Sequence, residues 1–152
     1  ETHMKIRVAE IEDAADLVEF NQAMAQETEG KMLKNDVLQK GVEAVFADES
    51  KGFYIVAENE KDRIAAGLLV TFEWSDWRNG WFWWIQSVYV LPEERGKKLY
   101  ARLYDFVKSK AKEHGNVCGF RLYVEKDNYT AQKVYEKCGM SETHYLMYEE
   151  MN

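Results

Sequence analysis

The residues best suited to chemistry lie in two segments of the chain. Segment 95–100, Arg-Gly-Lys-Lys-Leu-Tyr, follows an apolar stretch and a proline turn and opens a helical pattern. The first turn of a helix has backbone N–H groups without internal partners, so a basic turn there suits an anion such as a phosphate. Segment 128–139 reads as a short helix closed by Gly139, and it carries Tyr135, a phenolic proton donor. The two segments predict a phosphate-bearing ligand beside a proton donor.

Length and composition predict one domain with a hydrophobic core. The chain has 152 residues, of which 46% are hydrophobic and 31% are charged. This composition is typical of a folded globular protein. We place the domain at 4–152, because Glu1-Thr2-His3 ahead of Met4 is typical of an expression-tag remnant.

Charge and cysteine content disfavour several classes of partner. The formal net charge is −7, which disfavours nucleic acid as a partner and agrees weakly with a cationic acceptor. No apolar run reaches the roughly 20 residues of a membrane span. The two cysteines, Cys118 and Cys138, have no metal-ligand spacing, and His114 and His144 lack a ligand partner at helical spacing. We therefore expect no metal, no membrane partner and a cytoplasmic location.

Hydrophobic periodicity predicts an α/β fold: a mixed sheet with helices on both faces. The best helix has Leu99, Leu103, Phe106 and Val107 on one stripe, and Gly115 is placed to end it. The predicted strands are Lys5–Val8, Phe53–Asn59, Ile64–Trp74, Trp81–Val90, Phe120–Val124 and Tyr145–Glu150, and the predicted helices are Glu12–Met24, Asn35–Phe46 (capped by Asn35), Gly96–His114 and Asn128–Cys138.

With this element order, the two segments resemble the motifs of the GNAT superfamily of N-acetyltransferases. The first family motif is Arg/Gln-x-x-Gly-x-Gly/Ala at a helix start; Arg95 matches it, while Lys98 and Tyr100 stand where the family has glycine and a small residue. The second, Asn-x-x-Ala-x-x-x-Tyr-x-x-x-Gly-Phe, is matched at four positions, with methionine in place of phenylalanine at the last. These four are Asn128, Ala131, Tyr135 and Gly139.

The resemblance implies a mostly antiparallel central sheet, acetyl-CoA as cosubstrate, and acetyl transfer to a primary amine of a small molecule or peptide by direct attack. It also implies a homodimer. In this family an amide on the strand before the first motif, here that of Val88, stabilises the oxyanion, and the same strand edge pairs with pantetheine. The implied cofactor-binding residues are Val88, Tyr89, Val90, Arg95, Gly96, Lys97, Lys98, Leu99, Tyr100, Asn128, Ala131 and Tyr135.

Lys98 and Tyr100 are departures from the motif. A residue with helical dihedrals at a helix start needs no positive φ, so we expect Lys98 to leave its N–H directed at the anion. Its charge can add to the attraction. Tyr100 is expected to crowd or redirect the ligand.

The proton-transfer residues are only partly defined by the sequence. Tyr135 is the candidate general acid, although Ala131, Val134, Tyr135 and Cys138 also form an ordinary core stripe. Many relatives carry Glu where this chain has Gln86, and a carboxamide cannot accept the proton. Gln86 can orient a water or the acceptor, or it can fill a polar notch. Glu73 is either a base acting through water or an exposed strand residue, so no base is assigned.

The tryptophans and two acidic residues leave alternatives open. The five tryptophans favour core and sheet-face packing; they are Trp74, Trp77, Trp81, Trp83 and Trp84. In the alternative, Trp74, Trp77 or Trp81 forms a wall of an acceptor pocket, where a ring face holds an ammonium group. Glu27 and Glu29, in the predicted break after the first helix, either frame the acceptor or lie in a solvated loop. Two other functions are consistent with the sequence: a catalytically weak acyl-CoA-binding or sensor module, and an interaction protein that uses the tryptophan surface.

Overall fold

The computed structural model describes residues 3–152. Residues 1 and 2, part of the segment interpreted as a tag remnant, lie outside the described residues. None of the helices in the described range has the length and apolar character needed to cross a membrane.

A five-stranded sheet in the order β1-β2-β3-β4-β5 forms the centre of the protein. The pairs β1–β2, β2–β3 and β3–β4 are antiparallel, and β4 and β5 are parallel. The predicted mixed, mostly antiparallel α/β sheet is confirmed. The strands are β1 (Lys5–Val8), β2 (Phe53–Glu58), β3 (Ile64–Ser75), β4 (Gly80–Val90) and β5 (Val117–Arg121).

Four helices cover the two faces of this sheet. They are α1 (Ala14–Glu29), α2 (Asn35–Ala47), α3 (Leu99–His114) and α4 (Tyr129–Lys137). Alternate residues of β2 enter different cores, as a period of two requires. Ile55 and Ala57 pack with α3, whereas Tyr54 and Val56 pack with α1 and α2.

The apolar stripe of α3 packs into the larger of the two cores. Leu103 and Val107 are fully buried, Leu99 is nearly so, and Phe106 packs at the margin. The helix ends at Gly115, which adopts a left-handed conformation with φ 86° and donates its N–H to the Ala111 carbonyl. This is the glycine stop that the sequence predicts.

Several predicted boundaries are wrong. Helix α1 continues through Glu29, so Glu27 lies in its last turn instead of in a loop, and Asn35 is the first residue of α2 while Lys34 occupies the cap position. Strand β5 lies at Val117–Arg121, three residues earlier than expected. The predicted strand Tyr145–Glu150 is not formed, because nothing pairs with it in the described chain.

Candidate active site

The site begins where β4 and β5 separate. Their parallel pairing runs from Trp81↔Val117 to Trp84↔Arg121 and stops there, although β4 continues to Val90. The β5 side of the segment from Ile85 to Val90 therefore has no strand partner within residues 3–152. An unpaired strand edge presents backbone N–H and C=O groups to an extended ligand.

A β-bulge lies inside this unpaired segment. Gln86 is opposite Leu69 and Tyr89 is opposite Gly67, so Ser87 and Val88 together face one residue of β3. Ser87 has φ 52°, a left-handed conformation that is uncommon for a non-glycine residue. A bulge leaves its extra residue outside the ladder and re-aims the backbone. Serine gives no sequence signal for this conformation, so the bulge was not predicted.

The turn between β4 and α3 carries the basic motif. Pro92–Glu94 forms one 3₁₀ turn, and α3 starts only at Leu99, three residues later than predicted. Gly96 has φ 80° and Lys98 has φ 60°. The expectation that Lys98 has helical dihedrals is therefore wrong: it takes the left-handed conformation for which glycine is best suited.

The backbone of this turn is free to bind. Within the described part of the chain, the backbone amides of Gly96, Lys97 and Lys98 donate no hydrogen bond to the protein. A Cβ built on Gly96 would meet no atom within 4 Å, so the space above it is open. Together with the first amides of α3, these N–H groups fit the anionic pyrophosphate of a nucleotide ligand.

Arg95 is engaged within the protein. Its Nε donates to the Val90 carbonyl at 2.9 Å, and a terminal nitrogen donates to the Glu27 carboxylate at 2.8 Å. The Tyr89 hydroxyl donates to the same carboxylate at 2.6 Å, and the Arg95 guanidinium lies 5.3 Å from the centre of the Tyr89 ring. This cluster ties the last turn of α1 to the start of the basic turn.

The charges of the cluster explain two pKa shifts. Hydrogen bonds from Tyr89 and then Arg95 lower the pKa of the Glu27 carboxyl. Burial, reinforced by the carboxylate, raises the pKa of Tyr89. Glu27 is therefore a poor base, because its ionised form is the one that is hydrogen-bonded. Glu27 was considered in the sequence, but its partners lie more than 60 positions away and gave no local signal.

The structure brings the two motif segments into contact. The ring of Tyr100, at the start of α3, meets the ring of Tyr135 in α4 edge-on, with centroids 5.1 Å apart. Tyr100 also stacks on Tyr104 and is 7% exposed. Its side chain is thus packed in the α3 core, against the ring of the candidate acid.

Tyr135 is partly buried at the margin of that core. Burial, with a smaller effect of neighbouring Cys138, raises the pKa of its phenol. The hydroxyl therefore stays protonated throughout the neutral range and above it. Burial also raises the pKa of the Cys138 thiol, which disfavours its thiolate and agrees with a packing role.

The other candidates have local partners. The Asn128 side chain caps α4 by accepting from the Ala131 amide at 3.1 Å. The Gln86 side-chain amide donates to the Thr71 hydroxyl. Glu73 accepts from the Trp84 indole at 2.8 Å and pairs with Arg121 at 3.0 Å. Glu73 is thus held by two donors within the protein.

The tryptophans divide between core and surface. Trp83 is buried, while Trp74 is half exposed and packs edge-on against Trp81 at 5.0 Å. Trp77, at the tip of the β3–β4 hairpin, is 88% exposed. A cleft of about 740 Å³ lies elsewhere, beside the α1–α2 connection, and none of its lining residues belongs to segment 95–100. Groups of three or more potential metal ligands do not occur among residues 3–152.

The family model for the acetyltransferase (GNAT) family matches residues 9–140. The chain therefore belongs to the GNAT acetyltransferase family, whose members transfer acetyl groups.

Solved structures agree with this assignment. A possible acetyltransferase from Clostridium difficile 630 is 45% identical, with a TM-score of 0.89 over 100% of this chain and 99% of that one. Glucosamine-6-phosphate N-acetyltransferase from Arabidopsis thaliana is 26% identical, with a TM-score of 0.74 over 98% and 99% of the two chains. A predicted acetyltransferase with acetyl-CoA from Clostridium acetobutylicum is 22% identical, with a TM-score of 0.78 over 98% and 96%, and this likeness shows the fold. The comparison with curated protein sequences gave no match.

Proposed function

We propose that this protein transfers the acetyl group of acetyl-CoA to a primary amine of a small molecule or peptide by direct attack. The observation that carries the proposal is the parting of β4 from β5 after Trp84, with an open turn of unbonded amides at its end. Family membership and a neighbour solved with acetyl-CoA support the same cosubstrate.

Binding of the cosubstrate is divided between two backbone regions. The amides of residues 96–100 receive the pyrophosphate, and Lys97 and Lys98 add positive charge beside it. The free edge at Val88–Val90 pairs with the amide groups of the pantetheine arm, as an added strand would. Tyr89 points into the α1 core from this edge. Asn128 acts indirectly, because it fixes the start of α4 through the Ala131 amide.

Acetyl-CoA supplies an activated thioester when bound. The Val88 amide, displaced from the β3 ladder by the bulge, stabilises the negative charge that develops on the acetyl oxygen. Tyr135 donates its phenolic proton to the departing sulfur. The acceptor must lose a proton before it attacks, and Gln86 orients a water or the amine for that step, since its amide cannot take the proton.

Two further properties belong to the proposal. We place the protein in the cytoplasm, because Cys118 and Cys138 are both free thiols. We also propose a homodimer, which the family resemblance supports.

The experiment that tests the function measures thiol release from acetyl-CoA in the presence of a panel of amines. Amine-dependent release that exceeds the amine-free rate is the expected result. Buffer amines are controlled by an enzyme-free reaction. Absence of release with every amine, despite cosubstrate binding, contradicts the proposed function.

A second function is favoured by one observation. Gln86 is hydrogen-bonded to Thr71 and stands where a base would be needed, which favours an acyl-CoA-binding module without turnover. Tryptophan fluorescence quenching by acetyl-CoA with no thiol release identifies this alternative. An interaction protein that uses Trp74 and Trp77 would show neither signal.

A further inference from the structure

The open turn at 95–98 has few attachments to the rest of the protein. Within the described chain its backbone amides donate one hydrogen bond, from Arg95 to the Pro92 carbonyl at 3.3 Å. The Lys97 side chain pairs with Glu94 at 3.3 Å, which lies in the same connection between β4 and α3. Holding a loop in one conformation costs conformational entropy. A contact from elsewhere in the protein is therefore needed to keep the amides of this turn in a fixed arrangement.

The Arg95 side chain makes that contact. Its Nε donates to the Val90 carbonyl at 2.9 Å, at the end of the β4 edge, and a terminal nitrogen donates to Glu27 of α1 at 2.8 Å. Among the described residues, the bond to Glu27 is the only hydrogen bond that joins 95–98 to a residue outside 90–102. Arg95 thus links the β4 edge, the turn and α1.

Glu27 is itself fixed from the sheet. Its second carboxylate oxygen accepts from the Tyr89 hydroxyl at 2.6 Å. Tyr89 is buried and packs against Phe20 of α1, with ring centroids 5.2 Å apart. Each oxygen of Glu27 therefore has one donor, and the carboxylate bridges a buried strand residue to Arg95. Hydrogen bonds to an ionised group are the stronger ones, so this bridge is suited to fix the direction of the Arg95 side chain.

We propose that Glu27 is a positioning residue for the cosubstrate: through Arg95 it holds the turn so that the amides of residues 96–98 converge on the pyrophosphate. The inference rests on the proposed use of acetyl-CoA, and it is independent of turnover. It reverses the effect expected from charge alone. A carboxylate near an anion site repels the anion, so its removal would tighten binding if repulsion were its only effect. Loss of a positioning residue weakens binding instead.

Affinity for CoA, measured by calorimetry, is the first test. Glu27→Ala is expected to weaken CoA binding by about 10-fold, because it removes a charge-assisted hydrogen bond from the turn. Pantetheine lacks the pyrophosphate, and its affinity is expected to stay unchanged. The matched control is Glu29→Ala, which removes the same charge from the same turn of α1. Glu29 is exposed and pairs with Lys31 at 3.6 Å, so this variant is expected to bind CoA like the unchanged protein.

A double-mutant cycle tests whether Glu27 acts through Arg95. If it does, the double variant Glu27→Ala, Arg95→Ala is expected to bind CoA no more weakly than Arg95→Ala alone. Glu27→Gln separates position from charge, because it removes the same charge as Glu27→Ala but keeps an acceptor for Arg95. Its affinity for CoA is expected to lie between those of the unchanged protein and Glu27→Ala.

A further variant covers the case in which Glu27→Ala does not fold, as judged by thermal unfolding. Glu27→Asp keeps the charge, but its shorter side chain cannot reach Arg95 and Tyr89 together. It is expected to give the same loss of CoA affinity with pantetheine affinity unchanged.

Three results would overturn the proposal. They are CoA binding by folded Glu27→Ala as tight as in the unchanged protein or tighter, losses in the two single variants that add in the double variant, and pantetheine binding that weakens as much as CoA binding. Thiol release, measured on the same proteins, separates this test from that of the proposed function. A Glu27-dependent affinity for CoA without amine-dependent release supports the inference and contradicts acetyl transfer, whereas failure of the unchanged protein to bind CoA overturns both.

Discussion

The rings of Tyr100 and Tyr135 meet edge-on with 5.1 Å between their centroids, so the two sequence motifs share one aromatic contact. Tyr100 is the second residue of α3 and follows the open turn at 95–98, and Tyr135 is the candidate acid on α4. Under the proposed function, this contact joins the helix that follows the phosphate-binding turn to the helix that carries the proton donor.

Replacement of Tyr135 by Phe is expected to lower kcat by about 100-fold, the size of effect usual for loss of a general acid. The KM for acetyl-CoA is expected to change little, because the ring stays in place. Burial raises the pKa of this phenol, so the deficit relative to the unchanged protein is expected to persist as the pH rises toward 10. The measurement is thiol release as a function of pH.

Tyr104→Phe is the matched control for that variant. Tyr104 stacks on Tyr100 in the same aromatic cluster but has no assigned role with the ligand. Its kcat is expected to stay within about twofold of the unchanged protein, since no transferred proton is removed. Equal losses in both variants would mean that the cluster acts through packing.

Tyr100→Phe is expected to leave the stability unchanged or to raise the free energy of unfolding by up to about 1 kcal/mol. The Tyr100 hydroxyl is buried and has no hydrogen-bond partner among the described residues. The same burial raises its pKa, so the group stays neutral. Removing an unsatisfied polar atom while keeping the ring removes a desolvation cost. Urea unfolding checks the result, and a clear loss of stability would reveal a partner such as an ordered water.

Substitutions at Lys98 test the left-handed turn. Lys98 has φ 60°, so Lys98→Gly is expected to raise the free energy of unfolding, and Lys98→Val is expected to lower it by about 1–2 kcal/mol. Thermal unfolding of the two variants gives opposite shifts in Tm if the conformation is as described. If Lys98→Val instead stabilises the protein, residue 98 does not have the positive φ described here.

Asp13→Asn tests an ion pair that joins β1 to the start of α1. Arg7 donates to Asp13 at 2.8 Å and to Glu58 at 3.0 Å, and the Asp13 side chain is 10% exposed. Although burial opposes ionisation, the hydrogen bonds from Arg7 and the Glu10 amide lower the pKa of Asp13 below its usual value. The variant is expected to lose about 1–3 kcal/mol at pH 7.

The sign of the pH dependence follows from that lowered pKa. As the pH falls, the unfolded chain binds the Asp13 proton first, at a pKa of about 3.9, and this favours unfolding. The contribution of the pair is present above that pH and is lost as the pH falls through the lower folded pKa. Unfolding free energies of the two proteins are therefore expected to converge as the pH falls below the folded pKa of Asp13. If the two unfolding free energies differ by the same amount at every pH, the stability lost in Asp13→Asn comes from packing and not from the charge of Asp13.

The sequence predicted the elements that repeat a pattern over many residues. The long strands β3 and β4 and the stripe of α3 were located within one to three residues, because their apolar periods are sustained. The element order that these strands and helices share with the family also predicted the sheet class correctly. The resemblance named segment 95–100, and the structure gives that segment an open backbone.

The features missed by the sequence depend on contacts between distant residues or on backbone strain. Ser87 and Lys98 take positive φ without being glycine, so composition gave no warning of the bulge or the turn. Glu27 meets Tyr89 and Arg95 only after α1 packs on the sheet. The segment Tyr145–Glu150 has a strand pattern, yet a strand requires a neighbour, and its neighbour is not specified by local sequence.

The separation of β4 from β5 has a consequence for how this protein can change. The gap beside residues 85–90 of β4 is bounded by main-chain atoms, whose positions depend little on which side chains line it. Substitutions along its walls can therefore alter what reaches the gap while its width and direction are preserved. A relative with different side chains around the gap would keep the same backbone geometry and bind a different ligand.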